Sequence, residues 1–127
     1  MYGIPYRRKT GSHGRTGCEL GLLQSEVNWF MRVAAVSPAY NEESTIGSVV
    51  TACRQLPEIS EVIVVSDGST DDTAARAREA GATVIEHSEN RGKAAAMKSG
   101  FDATDAPVLL FLDADLIGLS PEHLRHL

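Results

Sequence analysis

From Arg32 onward, apolar and polar positions alternate with two periods, and together they predict four strand–loop–helix units. Arg32–Val36 reads as a short apolar strand. After it, Ile46, Val49, Val50 and Cys53 stand at offsets of 0, 3, 4 and 7, one buried stripe on a helix from about Glu43 to Leu56. Glu61–Val65 is a second, β-branched strand, and the polar run Ser66-Asp67-Gly68-Ser69-Thr70-Asp71-Asp72 follows. Ser69 or Thr70 is expected to cap the next helix, with the acids at its positive end and Gly81 just past its last turn. Ala74 and Ala77 form its inward face. Thr83–Glu86 is a weaker third strand. A loop His87–Arg91 leads into a helix from about Gly92 to Ala103, with Ala94, Met97 and Phe101 on one face. Val108–Leu112 is the fourth strand, and Ser120-Pro121-Glu122 marks the start of one more helix.

This alternation predicts an α/β fold with a parallel sheet. Right-handed crossovers give the strand order 3-2-1-4, which sets the first and fourth strands side by side at a topological switch point, where ligands bind. The loops leaving those strands, residues 37–43 and 113–115, then share one rim with Asp67. Residues 1–31 show no such periodicity before Leu20-Gly21-Leu22-Leu23, so they are expected to be a disordered or poorly packed extension. Met31 is a candidate natural start. Glycines 11, 14 and 17 follow no strand and make no dinucleotide fingerprint. With a helix opening as the chain stops at Leu127, residues 32–127 read as a truncated domain.

Composition narrows the classes. A chain of 127 residues, 43% hydrophobic and 23% charged, has ordinary globular usage and room for one core. The first 31 residues carry net +2, whereas residues 32–127 carry net −7. An acidic body does not suit a nucleic-acid backbone as main partner. Cys18 and Cys53 form neither a C-x-x-C pair nor a ligand cluster, so free thiols in a reducing compartment are expected. No stretch approaches the roughly 18 apolar residues of a membrane span, and no secretory h-region is present. A cytoplasmic location is expected, with peripheral attachment at the inner membrane face as the one membrane role open to it.

The chemistry concentrates at Asp113-Ala114-Asp115, directly after the apolar fourth strand. Side chains two apart on extended backbone leave the same face, so both acids can converge on one hard cation. Two such carboxylates are costly to bury unpaired. A divalent ion shared with a diphosphate relieves that repulsion, which points to a nucleotide ligand. Asp115 is the first choice as metal ligand. His87 and His123 make no cluster and read as exposed polar residues outside the site.

Ser37-Pro38-Ala39-Tyr40-Asn41-Glu42-Glu43, Ser66-Asp67-Gly68-Ser69-Thr70-Asp71, Asn90-Arg91-Gly92-Lys93 and Asp113-Ala114-Asp115 occur in that order. As a set, over about Val33 to Leu124, they resemble glycosyltransferase family two. The resemblance implies the Rossmann-like, nucleotide-sugar-binding half of a GT-A fold. It also implies transfer of a sugar from a UDP- or GDP-sugar to an acceptor, with Mg2+ or Mn2+ on the diphosphate. By motif position it places Pro38, Ala39, Tyr40 and Glu42 around the nucleoside, with the Tyr40 ring on the base. Asp67 then meets a base N–H. Lys93 and Arg91 reach the base or diphosphate from a helix start whose free N–H groups already favour anions. Asp113 contacts the ribose or the metal through water, and Asp115 binds the metal. The family often has two consecutive acids where this chain has Ser66 before Asp67, so no role for a first acid carries over.

In such a reaction negative charge grows on the leaving diphosphate, where the metal and Lys93 or Arg91 stabilise it. The acceptor-deprotonating carboxylate of an inverting member normally comes from the other half of the domain, so no catalytic residue is assigned here. The resemblance suggests polyprenyl phosphate, phosphoglycerate or a glycan as acceptor. A non-catalytic nucleotide-binding remnant or subunit is the alternative. A haloacid-dehalogenase-like phosphohydrolase also places D-x-D after an apolar strand, but usually on its first strand and followed by Gly-Thr, where this chain has Leu116-Ile117. A sugar-1-phosphate nucleotidyltransferase needs a glycine-rich loop where Pro38-Ala39-Tyr40 stands.

Overall fold

The computed structural model describes residues 3–7 and 32–116. In chain order these form β1 (Gly3–Arg7), β2 (Val33–Ala39), α1 (Ile46–Arg54), β3 (Ile59–Asp67), α2 (Thr73–Ala80), β4 (Thr83–His87), α3 (Lys93–Asp102) and β5 (Val108–Leu112). One sheet runs β1-β5-β2-β3-β4. Its last four strands are parallel and keep the expected 3-2-1-4 order, with Val36 between Ile63 and Phe111.

The fifth strand was not expected. Gly3–Arg7 pairs antiparallel with β5, Pro5 opposite Leu110. Its Gly-Ile-Pro-Tyr-Arg sequence lacks a strand signature, but a sheet edge accepts proline because one side of an edge strand needs no N–H donor. Residues 8–31, the helix expected at Ser120, and His123 lie outside the described residues.

Boundaries moved for local reasons. Strands β2 and β3 extend past their apolar runs because parallel pairing continues, Ala39 with Ser66 and Asp67 with His87. Helix α1 begins at Ile46 rather than Glu43, its first turn tied by the Ile46 N–H to the Glu42 carbonyl at 2.9 Å. Helix α2 begins at Thr73, and neither Ser69 nor Thr70 caps it. The Asp71 carboxylate instead accepts from the Thr73 N–H at 3.0 Å. Gly81 ends this helix in the left-handed conformation, as expected.

Helices α1 and α2 pack on one face of the sheet and α3 on the other. The predicted α1 stripe of Ile46, Val49, Val50 and Cys53 is fully buried, and each large aliphatic there contributes about 1.5–3 kcal/mol of transfer free energy. Ala77 is likewise sealed against the sheet. The inward face of α3 differs from expectation: Ala96 and Gly100 are buried, while Ala94 is exposed and Met97 only half-buried. Small side chains let this helix approach closely, so that a Cβ at Gly100 would stand 2.3 Å from Val36 Cγ1. Cys53 is a free thiol whose pKa burial pushes up to about 12. Among the described residues no helix is long and apolar enough to cross a membrane.

Candidate functional site

Each expected site residue lies at or just beyond the carboxyl end of a parallel strand, or at the head of the helix that follows one. Pro38 and Ala39 close β2, and Tyr40, 48% exposed, stands immediately after them. Glu42 is half-buried in the following loop. Asp67 closes β3 and is 4% exposed. Arg91 precedes α3, and Lys93 is its first residue. Asp113 is half-buried just after β5, and Asp115 is exposed in the turn.

The loops after β2 and β3 brace each other. Asn41, held at φ +52°, donates its N–H to Ser69 Oγ at 3.0 Å and accepts the Thr70 N–H on Oδ1 at 2.8 Å. The Glu42 N–H donates to Thr73 Oγ1 at 2.9 Å, and the fully buried Thr73 hydroxyl donates in turn to the Asp71 carboxylate. The Asp72 N–H donates to Glu43 Oε2 at 3.1 Å. Asn41, Glu43, Ser69, Thr70, Asp71 and Thr73 therefore hold the loop that presents Tyr40. Sequence reasoning missed this function for them, although hydroxyl, amide and carboxylate side chains crowd both segments.

Asp67 organises the next loop. Its Oδ1 accepts from the Arg91 N–H at 2.9 Å and its Oδ2 from the Gly92 N–H, also at 2.9 Å. His87 Nδ1 lies 2.7 Å from the same Oδ1. Burial opposes ionisation of this carboxyl, but the Arg91 N–H, the His87 ring and the Gly92 N–H outweigh it and hold its pKa below the usual value. His87 is thus buried behind the site, and the expectation of an exposed residue outside it is corrected. The available signal was position, since His87 ends a strand on the rim where the other candidates gather.

The acidic turn meets the basic helix start. Lys93 Nζ lies 2.7 Å from Asp113 Oδ1, with the lysine side chain largely exposed and the aspartate about half exposed. Thr45 Oγ1 donates to the Ala114 carbonyl at 2.6 Å, fastening the first loop to the Asp-Ala-Asp turn. Among the described residues the Asp115 carboxylate and the Tyr40 hydroxyl have no protein partner. No three His, Cys, Asp or Glu residues among those described form a metal cage by themselves. Two carboxylates nevertheless suit a hard divalent cation whose remaining oxygens come from a ligand. A polar groove between α1 and α2, bordered by Glu43, Thr51, Arg76 and Glu79, is separate, and none of Tyr40, Asp67, Lys93 or Asp115 borders it.

A family model described as Glycosyl transferase family 2 matches residues 34–127. Glucosyl-3-phosphoglycerate synthase of Mycobacterium tuberculosis (strain ATCC 25618 / H37Rv) is 37% identical over 98 residues, covering 70% of this chain and 30% of that protein. Undecaprenyl-phosphate 4-deoxy-4-formamido-L-arabinose transferase of Serratia proteamaculans (strain 568) is 35% identical over 102 residues, 72% of this chain and 31% of that one. Among solved structures, the M. tuberculosis synthase in complex with Mn2+, UDP-glucose and phosphoglyceric acid matches with a TM-score of 0.69 and 32% identity. That match covers 87% of this chain and 43% of the other. The chain therefore spans 30–31% of the length of these curated relatives.

Proposed function

The chain belongs to glycosyl transferase family 2, and on that premise we propose that it binds a nucleotide-diphosphate sugar along this rim and serves its transfer to an acceptor. The observation that carries the reading is the contact between Lys93 and Asp113, 2.7 Å apart. It brings a cation at a helix start to the acids that follow β5, the charge pattern a metal-bound diphosphate needs. Tyr40 is the exposed ring for the base, with Pro38, Ala39 and Glu42 around the nucleoside. Asp67 offers an acceptor to a base N–H, and Arg91 and Lys93 face the diphosphate. Asp115, with Asp113, would hold Mg2+ or Mn2+, which when bound neutralises charge on the leaving diphosphate.

The relatives support a phosphate-bearing acceptor, since one is named for phosphoglycerate and another for undecaprenyl phosphate. A cytoplasmic location, with peripheral contact at the inner membrane face for a lipid-linked acceptor, belongs to the same reading. No observation favours the phosphohydrolase or non-catalytic alternatives.

Calorimetric titration with UDP and with GDP, each with and without Mn2+, tests the donor site on wild type and Asp115→Ala. Binding is expected to need the metal and to weaken about tenfold or more in Asp115→Ala, roughly 1.4 kcal/mol. Metal-independent binding that the substitution leaves unchanged would remove the metal from the reading.

A further inference from the structure

His87 stands opposite Asp67 in the β3–β4 register, and both side chains are only 5% exposed. Its Nδ1 lies 2.7 Å from Asp67 Oδ1, while its Nε2 lies 2.7 Å from Ser99 Oγ on α3. An ionised carboxylate only accepts, so this network assigns the ring proton to Nδ1. In the neutral ring Nε2 then accepts the Ser99 hydroxyl proton.

Each carboxylate oxygen can accept about two hydrogen bonds. Among the described residues Oδ1 is filled by His87 and the Arg91 N–H, whereas Oδ2 takes only the Gly92 N–H. One acceptor position on Oδ2 remains for a ligand. We propose that His87, backed by Ser99, is a positioning residue for nucleotide recognition. It fixes the plane of the Asp67 carboxylate, and with it both that acceptor position and the Arg91–Gly92 turn from which Lys93 projects. The inference deepens the donor-site reading and rests on it.

The acid–histidine–serine order also matches a nucleophilic triad, but the surroundings do not. Ser99 lies within α3, whose backbone N–H groups beyond the first turn are spent inside the helix, so its own helix offers it no oxyanion donors. Asp67, moreover, is shared with two loop amides. The geometry serves orientation.

Two near-isosteres separate positioning from packing. His87→Asn places an amide nitrogen near Nδ1 and keeps the donor to Asp67. His87→Gln places it near Nε2, reaches Ser99 and leaves Asp67 one donor short. Three quantities are measured on the full chain: UDP affinity with Mn2+, hydrogen exchange of the Arg91 and Gly92 amides without ligand, and melting temperature. His87→Asn is expected to stay within about threefold of wild type in affinity, and His87→Gln to weaken about tenfold. Exchange at Arg91 and Gly92 should accelerate in His87→Gln and not in His87→Asn.

Equal affinities and equal exchange in the two variants, whatever their melting temperatures, overturn the proposal. If either fails to fold, Ser99→Ala decides: faster exchange at both amides with weaker UDP binding supports positioning, and no change in either overturns it. If wild type does not bind UDP, the donor-site reading fails. The exchange pattern then still decides whether His87 positions Asp67.

Discussion

Replacing Gly68 by alanine probes the tightest backbone approach at the rim. Gly68 sits at φ +75°, and a Cβ there would lie 2.4 Å from Asn90 N and 2.6 Å from Glu89 C. Both neighbours are backbone, so neither can rotate away. A non-glycine residue in the left-handed region costs roughly 1–2 kcal/mol, and forcing an extra methyl into a packed contact roughly 1–3 kcal/mol more. Gly92 supplies the control. It has φ +97° and ψ 161°, a region essentially reserved for glycine, but nothing within 4 Å of its Cβ position, so Gly92→Ala bears a conformational cost of roughly 1–3 kcal/mol alone. Urea unfolding at constant m-value is expected to show Gly68→Ala less stable than Gly92→Ala by about 1–2 kcal/mol, out of a total of about 5–15 kcal/mol for a small domain. Relief of the clash moves residues 89–92 away from β3, so the Arg91 and Gly92 amides part from Asp67 and UDP affinity falls as well. Equal losses for the two alanine variants would refute the close-approach reasoning.

Thr45→Val removes the hydroxyl that donates to the Ala114 carbonyl at 2.6 Å. Chemical denaturation should show a loss of about 1–3 kcal/mol, with Mn2+-dependent UDP binding weakened, and Thr45→Ser should restore both. Acid unfolding should respond to Asp67 and Asp71, whose burial opposes ionisation but is outweighed by hydrogen bonds, from Arg91, His87 and Gly92 for Asp67 and chiefly from Thr73 for Asp71. Because the folded pKa values are lowered, this stabilisation is complete above the ordinary value of 3.8 and is lost as pH falls through the lower folded values. Asp67→Asn should flatten that acid limb in urea midpoints measured across pH, and a limb identical to wild type would contradict the assignment. Lys93→Met breaks an ion pair whose partners are 67% and 48% exposed, so stability should change by less than about 1 kcal/mol. UDP affinity should drop and become less salt-dependent, which titration at two ionic strengths measures.

The alternating elements, their 3-2-1-4 order and the gathering of Tyr40, Asp67, Lys93 and Asp113 on one rim were all legible in the chain alone. Apolar periodicity is a local property, and right-handed crossovers turn a list of strands into a topology. Tertiary structure decided what depends on pairing between distant segments. His87 looked exposed because its place just past the third predicted strand does not by itself show that Asp67 lies directly beside it, a fact set by the β3–β4 register. Ser69 and Thr70 looked like caps until the loop after β2 claimed them through Asn41. Helix α3 buries Ala96 and Gly100 because the sheet rewards close approach, which side-chain hydrophobicity does not measure. Gly3–Arg7 became a strand only because β5 offered it an open edge.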